Sequence, residues 1–325
     1  MTSPVVAVIG TVNRDVIVTA EGAEHTSLGG ILYNVLPLVA LLEDTGLRVA
    51  PIGRLGAADR DEALALLRAF PALDPGGLIV DPAGTNVSHL DYRGGGERIE
   101  HVTMNVASLG SEDLAAAASA RAVLVNMISG RDVSLAALEA LRAACDGTLY
   151  LDVQALARTT DTPRRPRADP QWARWAAVFD VVRGNEDEIG WIAGTEGDVE
   201  AGVRRLLRAG AGEVLLTSGA RGAARFVLEG SDVRRDVVPA VPVARVADPT
   251  GCGDSFLSAV VAGRLLGLAP LDSMALGAWL AAEVATRTGL SSLRELRGVR
   301  KRAAAADARF AALARAPEGT GRPPG

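Results

Sequence analysis

The segment DPTGCGDS, residues 248–255, combines acidic side chains with two glycines that permit a tight turn. Glycine lets backbone N–H groups point outward, and the apolar spacing that follows predicts a helix beginning at Asp254 or Ser255. Unpaired N–H groups at a helix N-terminus attract anions and stabilise negative charge on a phosphoryl group during its transfer. The turn of residues 251–254 is therefore a candidate anion hole.

Asp254 has two interpretations at this position. As a catalytic carboxylate beside the anion hole, it takes a proton from an attacking hydroxyl group. As a helix N-cap, it only accepts hydrogen bonds from the amides of its own helix, and the tetrad Gly-x-Gly-Asp taken alone favours this simpler role. The rest of the sequence must decide between the two.

The composition excludes several other classes of protein. The chain has 325 residues, 34 basic and 39 acidic side chains and a formal net charge of −5, so it lacks the basic surface expected of a nucleic-acid-binding protein. Its single lysine, Lys301, lies near the C-terminus, where it suits neither a P-loop nor the strand lysine of a protein kinase. We therefore expect no nucleic-acid partner and neither of those two phosphate-binding designs.

Metal-binding and targeting patterns are also missing from the sequence. The three histidines and two cysteines form no zinc-ligand spacing and no Cys-x-x-Cys. The first residues lack a basic n-region, and residues 13–15 interrupt their apolar run with polar side chains, which excludes a signal peptide or membrane anchor. We expect a cytoplasmic protein without a membrane partner.

Short β-branched runs alternate along the chain with longer Ala/Leu-rich helical stretches. This pattern predicts an α/β fold, a doubly wound, mostly parallel sheet with helices on both faces. Residues 11–28 and 84–108 break the alternation and are expected to form a small β-strand lid. We assign residues 1–310 to one domain that includes the lid, and residues 311–325 to a disordered tail.

DPTGCGD resembles the DTxGAGD signature of the ribokinase family, also called the PfkB family of carbohydrate kinases. Further matches follow in the family's order: GGILYN (29–34), NEDE (185–188), TSGARG (217–222), and the segment from Ala281 and Ala282 to Gly289. The resemblance spans residues 5 to about 300. It implies a ribokinase-like fold and an ATP-dependent kinase that phosphorylates a hydroxyl of a sugar or nucleoside, with ATP and Mg²⁺ as cofactors.

The resemblance also assigns roles at the donor side. It implies Asp254 as general base, with Gly251, Cys252 and Gly253 completing the anion hole. It places Glu188, together with Asn185, near Mg²⁺ through water, which suits a cation that keeps its hydration shell. The nucleotide-binding residues that it implies are Asn185, Thr217, Gly219, Gly222 and Ala282.

Three donor-side assignments have open alternatives. Asp248 and Thr250 match positions near a monovalent-cation loop, and dependence on K⁺ is left open. Asn185 and Glu188 also fit a simple capping box, N-x-x-E. Cys252 stands where alanine is usual, and packing as a small hydrophobe is favoured over reactivity.

Acceptor contacts are implied on the first strand end and the turn that follows it. The matched positions are Asn13, Asp15, Gly29, Gly30 and Asn34. A carboxylate and an amide suit vicinal hydroxyls because together they accept and donate hydrogen bonds. The alternative for Asn13 and Asp15 is an ordinary polar turn.

Departures from the family pattern fall on this acceptor side. Ile31, Leu32 and Tyr33 replace the lysine region and predict an apolar wall. Residues 126–130, where ribokinases carry a substrate-binding glutamate, contain no acid. These changes make ribose doubtful and favour a nucleoside over a free hexose.

Two other functions stay open from the sequence. One is a kinase of a phosphorylated sugar, with Arg93 and Arg98 of the lid as its cations. The other is a catalytically silent ligand-binding protein on the same fold. A homodimer through exposed lid strands is a further expectation, because uncovered edges tend to be paired or protected.

Overall fold

The structure, a computed structural model, describes residues 5–314 apart from residues 20, 21, 92, 94–98 and 162. Within these residues the chain builds a nine-stranded sheet and a four-stranded sheet. Arg98 and residues 315–325, for which the sequence made predictions, lie outside the described residues.

The large sheet confirms the predicted doubly wound architecture. Its strand order is β13-β12-β11-β10-β9-β8-β1-β4-β5, parallel from β11 to β5, with β12 and β13 added antiparallel at one edge. Its strands are β1 (Val5–Ile9), β4 (Arg48–Gly56), β5 (Leu78–Asp81), β8 (Ala122–Asn126), β9 (Thr148–Asp152), β10 (Val181–Asn185), β11 (Glu213–Thr217), β12 (Ala223–Glu229) and β13 (Asp232–Val238).

Helices cover both faces of this sheet, as the buried β-branched runs predict. In β1, Val6 and Val8 pack into one core, whereas Ala7 and Ile9 pack into the other. The first core takes up α1, α2, α7, α8 and α9, and the second takes up α3 to α6. The helices are α1 (Leu32–Leu41), α2 (Ala57–Leu67), α3 (Leu135–Ala144), α4 (Trp172–Val178), α5 (Glu186–Ile192), α6 (Val199–Arg208), α7 (Cys252–Leu265), α8 (Pro270–Ala285) and α9 (Val299–Ala306).

The four-stranded sheet is the predicted lid. Its strand order is β3-β2-β6-β7, with β2 and β6 parallel and the outer strands antiparallel to them. Its strands are β2 (Asn13–Val18), β3 (Glu24–Leu28), β6 (Asn86–Asp91) and β7 (Ile99–Thr103). Both stretches that broke the α/β alternation therefore contribute to one sheet, and the edge strand β3 is largely exposed.

The carboxyl ends of β1, β8, β9, β10 and β11 lie along one edge of the large sheet, because these strands are parallel neighbours. The chain leaves β1 for the lid at this edge. In open α/β sheets, ligands bind at the carboxyl ends of the strands.

The first residues of the predicted disordered tail are helical instead. Residues 311–314 belong to a 3₁₀ helix, Ala308–Ala314, in which Phe310 and Leu313 are buried against the first core. The apolar side chains at this spacing anchor the segment, so the ordered chain continues at least to residue 314.

Within the described part of the chain, none of the helices combines the length and apolar character needed to cross a bilayer.

Leu257 tests whether α7 is anchored by this core. Its side chain is 0% exposed, and truncation to alanine removes buried methyl groups and leaves a cavity. We expect Leu257→Ala to lower the free energy of unfolding by about 2–5 kcal/mol in a denaturant titration. Leu271→Ala is the matched control, because Leu271 on α8 is 40% exposed and its loss should change stability by less than about 0.5 kcal/mol. Equal effects of the two substitutions would contradict this packing.

Candidate active site

The glycine turn and α7 place Asp254 at the edge of the large sheet. Gly251 is the N-cap residue of α7 and adopts a left-handed conformation with φ 78°, so the helix begins at Cys252. This start is earlier than predicted, because glycine tolerates the positive φ that closes the turn. Asp254 is thus the third helical residue and not the N-cap, and the capping interpretation is wrong.

The turn leaves several amides available. The Cys252 N–H donates to the Pro249 carbonyl at 3.2 Å. In the described part of the chain, the amides of Gly251 and Gly253 find no acceptor, whereas the Asp254 amide bonds its own carboxylate. Unpaired amides at the start of a 14-residue helix are suited to an anion, as the predicted anion hole requires.

The Asp254 carboxylate is 9% exposed and is held by two side-chain amides. Asn126 Nδ2 and Gln154 Nε2 donate to its Oδ1 atom at 2.6 Å and 2.5 Å. Burial raises the pKa of Asp254, and the charge of Arg183 and the two amide hydrogen bonds act in the opposite direction. Arg183 on β10, Asn126 on β8 and Gln154 just beyond β9 thus offset part of the cost of burying this charge, and the pKa remains raised.

Arg183 of β10 lies directly beneath the turn. Its guanidinium donates from one nitrogen to both oxygens of Asp152 at 2.9 and 3.0 Å, and from the other to Thr217 Oγ1 at 2.7 Å. A Cβ at Gly253 would overlap this guanidinium. Position 253 must therefore remain a glycine for a positive charge to approach the anion hole this closely.

Asp152 of β9 completes this pair. It is 0% exposed, and burial raises its pKa, while the Arg183 charge opposes that shift. Asp254 and Glu188 add to the rise because they are further negative charges near the same guanidinium. The single buried guanidinium of Arg183 thus lies near three carboxylates, those of Asp152, Glu188 and Asp254, so the site carries more acidic than basic groups.

Asn185 and Glu188 form the capping box that was the simpler interpretation of this motif. Asn185 Oδ1 accepts from the Glu188 amide at 2.8 Å, and Glu188 Oε2 accepts from the Asn185 amide at 2.9 Å. The capping role does not use the second carboxylate oxygen of Glu188. A free carboxylate oxygen of this kind is a ligand type that suits a hydrated Mg²⁺ ion.

The remaining donor-side residues lie around the same edge. Thr217 Oγ1 accepts a hydrogen bond from Arg183, which lies beside the turn. Gly222 has φ 93°, and a Cβ at this position would overlap the Val238 carbonyl. Gly219, with φ 54°, opens the short helical turn that follows β11. Ala282 lies half-buried on α8, next to Ala281, whose carbonyl accepts a contact from the Cys252 thiol at 3.5 Å.

Cys252 packs as predicted for a small apolar side chain. Its side chain contacts the first core. Burial raises the pKa of the thiol to about 11, and the charges of Asp248 and Asp254 add to the rise. The thiol is therefore neutral near pH 7, and only the position of its backbone belongs to the turn.

Asp248 joins the turn before α7 to the loop after α8. Its carboxylate accepts from the Thr250 amide at 2.9 Å and from the Gly289 amide at 3.3 Å. The two residues assigned to a monovalent-cation loop therefore lie together, next to that second loop.

The acceptor-side residues cluster where β2 begins. Asp15 is buried, and a Cβ at Gly29 would overlap its carboxylate, so this glycine lets the carboxylate approach the backbone. Gly30 has φ 65° and lies against the Thr11 carbonyl. Asn13 donates from Nδ2 to Ser88 Oγ of the lid at 3.1 Å.

Asn34 lies deeper than its acceptor-binding assignment suggests. It is 0% exposed, donates from Nδ2 to the Asp254 carbonyl at 3.0 Å, and accepts from Asn126 at 2.7 Å. In this structure it connects α1 to α7 from inside the core.

The predicted apolar wall is wrong. Ile31 and Leu32 are 0% exposed and Tyr33 is 4% exposed, because α1 packs between the sheet and α7. The Tyr33 ring lies against Gly251, where a Cβ would overlap it. These side chains form core and offer no surface to an acceptor.

Sequence reasoning missed three residues of this site: Asp152, Gln154 and Arg183. Asp152 ends β9 and Gln154 lies just beyond it, whereas Arg183 lies inside β10, two residues before its end. Polar residues at the ends of apolar strands were the signal that would have found them.

Comparisons with known proteins agree with this geometry. The pfkB family carbohydrate kinase model matches residues 4–296. Inositol 3-kinase of Zea mays is 30% identical over 147 residues, which is 44% of this chain and 35% of that protein. Inositol 3-kinase of Oryza sativa subsp. japonica is 30% identical over 162 residues, 47% of this chain and 36% of that protein. The matches thus span about a third of each curated relative.

Solved structures share the fold at low sequence identity. Ribokinase from Thermotoga maritima superposes with a TM-score of 0.70 at 18% identity, over 91% of this chain and 98% of that one. Arabidopsis thaliana ribokinase complexed with ribose and ATP gives 0.68 at 19% identity, over 91% and 99%. A pyrophosphate-dependent kinase in the ribokinase family, complexed with a pyrophosphate analogue and myo-inositol, gives 0.71 at 18% identity, over 90% and 99%.

The family model covers nearly the whole chain. The structure has the fold expected of the family, the glycine turn and the buried Asp254. The chain therefore belongs to the pfkB family of carbohydrate kinases.

Proposed function

We propose that this protein is an ATP-dependent kinase that phosphorylates a hydroxyl of a small polyol, with Asp254 as the general base and the turn of residues 251–254 as the anion hole. The observation that carries the proposal is the buried Asp254 carboxylate, which caps no helix and stands beside unpaired backbone amides.

Each part of the site has a role in this reaction. Bound Mg²⁺–ATP supplies the phosphoryl group. Asp254 accepts the proton of the acceptor hydroxyl, and the free amides of the turn stabilise the negative charge on the transferred group. Arg183 adds a positive charge beside the turn, and Glu188 would hold a Mg²⁺ ion through water, where the ion would neutralise charge on the phosphates.

On the nucleotide side, the proposal keeps the residues that resemble the family's motifs. The end of β11 and the helical turn after it contain Thr217, Gly219 and Gly222. Ala282 lies on α8. Asp248 and Thr250 form a loop in which a monovalent cation would act, with K⁺ as the candidate. ATP as the donor is supported by the family.

For the acceptor, we propose a cyclitol of the inositol type in place of the nucleoside that the sequence favoured. The apolar residues that argued for a nucleoside are buried in the core. Asp15, Asn13 and Ser88 instead present carboxylate, amide and hydroxyl groups at the lid side, which suits a ring carrying several hydroxyls. The identity to two inositol 3-kinases supports the same class.

The two competing functions have less support. Arg93, offered as a cation for a phosphorylated sugar, is already paired with Asp91 at 2.6 Å on the lid. A silent binding protein has no need of a buried carboxylate that is free of capping. Homodimer formation through the lid edge stays a prediction.

A panel of acceptors tests the proposal directly. We expect myo-inositol to show the highest kcat/KM at fixed Mg²⁺–ATP, above ribose, fructose, fructose 6-phosphate, adenosine and inosine. Ribose should be poor because residues 126–130, where ribokinases carry a substrate-binding glutamate, contain no acid. A nucleoside or the sugar phosphate in first place would contradict the acceptor class, and no turnover of any acceptor would contradict the kinase.

Gly253→Ala tests the anion hole. The added methyl group must displace the Arg183 guanidinium, so we expect kcat to fall by about 10- to 1,000-fold while the protein stays folded. Gly110→Ala is the control, since a Cβ there has open space and should leave turnover unchanged. Wild-type turnover in Gly253→Ala would show that this close approach is irrelevant to the reaction.

Asp15→Ala tests the acceptor side. Losing hydrogen bonds to a charged group costs about 1.5–3 kcal/mol, so the acceptor KM should rise by about 10- to 100-fold while the KM for ATP changes little. Asp91→Ala is the control, because alternation along the paired strands puts Asp91 on the opposite face of the lid. Equal increases in both Michaelis constants would assign Asp15 a purely structural role.

A further inference from the structure

The hydrogen bonds to the Asp254 carboxylate are unevenly distributed. Asn126 and Gln154 both donate to Oδ1, at 2.6 and 2.5 Å. No described residue other than Asp254 itself donates a hydrogen bond to Oδ2. Oδ1 therefore accepts from two side-chain amides, whereas Oδ2 accepts from no other described residue.

Asn126 is held firmly in this arrangement. It is 0% exposed, and its Nδ2 group donates both to Asp254 and to Asn34 Oδ1, at 2.7 Å. Asn34 in turn donates to the Asp254 carbonyl, which also accepts from Ser258 Oγ at 2.8 Å. The amide of Asn126 is thus oriented by neighbours on α1 and α7.

Gln154 reaches the same oxygen from a strained backbone. Its φ is 32°, one of two positive values among the described non-glycine residues. Such conformations cost about 1–3 kcal/mol and concentrate at functional sites. Hydrogen bonds from the amides of Val153 and Ala155, to the carbonyls of Arg183 and Met127, fix the segment on either side.

From this geometry we propose that Gln154, with Asn126, is a positioning residue for the general base: the two amides saturate Oδ1 and leave Oδ2 as the oxygen that accepts the hydroxyl proton. The inference rests on the proposed function of Asp254. It goes further, because it assigns the atom that receives the proton and the two groups that hold the carboxylate in place.

Few other titratable groups face Asp254. Arg183 from β10 is cationic throughout the accessible pH range, and Cys252 on α7 is neutral near pH 7. Asp152 from β9 is bound to Arg183, and no hydrogen bond joins it to Gln154 in the described residues. The groups from α1 and β8 are the neutral amides of Asn34 and Asn126. Asp152 and Glu188 also share the Arg183 charge, and burial raises the pKa of Asp152 as well. The Gln154 amide donates to Asp254 and to neither of these two carboxylates in the described residues, so a shift of the acid limb on altering Gln154 reports on Asp254.

The test is the pH dependence of kcat/KM for the accepted polyol. Gln154→Met keeps the length of the side chain and removes the donor, so the acid limb should move to higher pH by about one unit. At a pH on that limb, activity should fall by up to about tenfold relative to the wild type, with the KM for ATP unchanged. Gln154→Glu adds a negative charge, and its limb should move further in the same direction.

Two variants separate this role from a structural one. Gln154→Gly relieves the positive φ, so it should fold at least as well as the wild type and still show the shifted limb. Gln171→Met changes the chain's other glutamine, which is exposed on the surface before α4, and should leave the profile unchanged.

The outcomes are distinct. A uniform loss of kcat with an unshifted acid limb, or no change at all, in Gln154→Met and Gln154→Gly would overturn the inference while the kinase function stands. Inactivity of the wild type on every acceptor would instead overturn the proposed function.

Discussion

A carboxylate buried in the first turn of α7 sets the requirements for the rest of the site. Removing Asp254 from water disfavours its charge, so the protein must supply compensating donors and a nearby cation. It takes them from Asn126 at the end of β8, Gln154 just beyond β9 and Arg183 near the end of β10. The parallel order of these three neighbouring strands is what brings the groups together.

The glycines of the signature follow from the same requirement. Gly251 provides the left-handed residue that ends the turn and makes room for the Tyr33 ring. Gly253 makes room for the guanidinium of Arg183. The turn can therefore offer free amides and a close positive charge only because neither position carries a side chain. Contacts with Tyr33 of α1 and Arg183 of β10 thus explain why both positions are glycine, which local turn chemistry alone does not explain.

Much of this arrangement could be predicted from the sequence. Alternating buried runs gave the doubly wound sheet, and the two irregular stretches gave the lid, because periodicity reports burial directly. The signature residues gave the turn and Asp254. Asp152 and Arg183 were missed because a long-range ion pair leaves no local spacing. The Ile31–Tyr33 wall was misplaced because an apolar run looks the same whether it lines a pocket or fills a core.

The most direct measurement of the central claim is turnover by Asp254→Asn, the isosteric amide, with Mg²⁺–ATP and the best acceptor. If Asp254 accepts the hydroxyl proton, kcat should fall by about 100- to 10,000-fold while the Kd for ATP and the melting temperature stay near wild-type values. Wild-type turnover by this variant would contradict the account, because the buried carboxylate would then take no part in the chemistry.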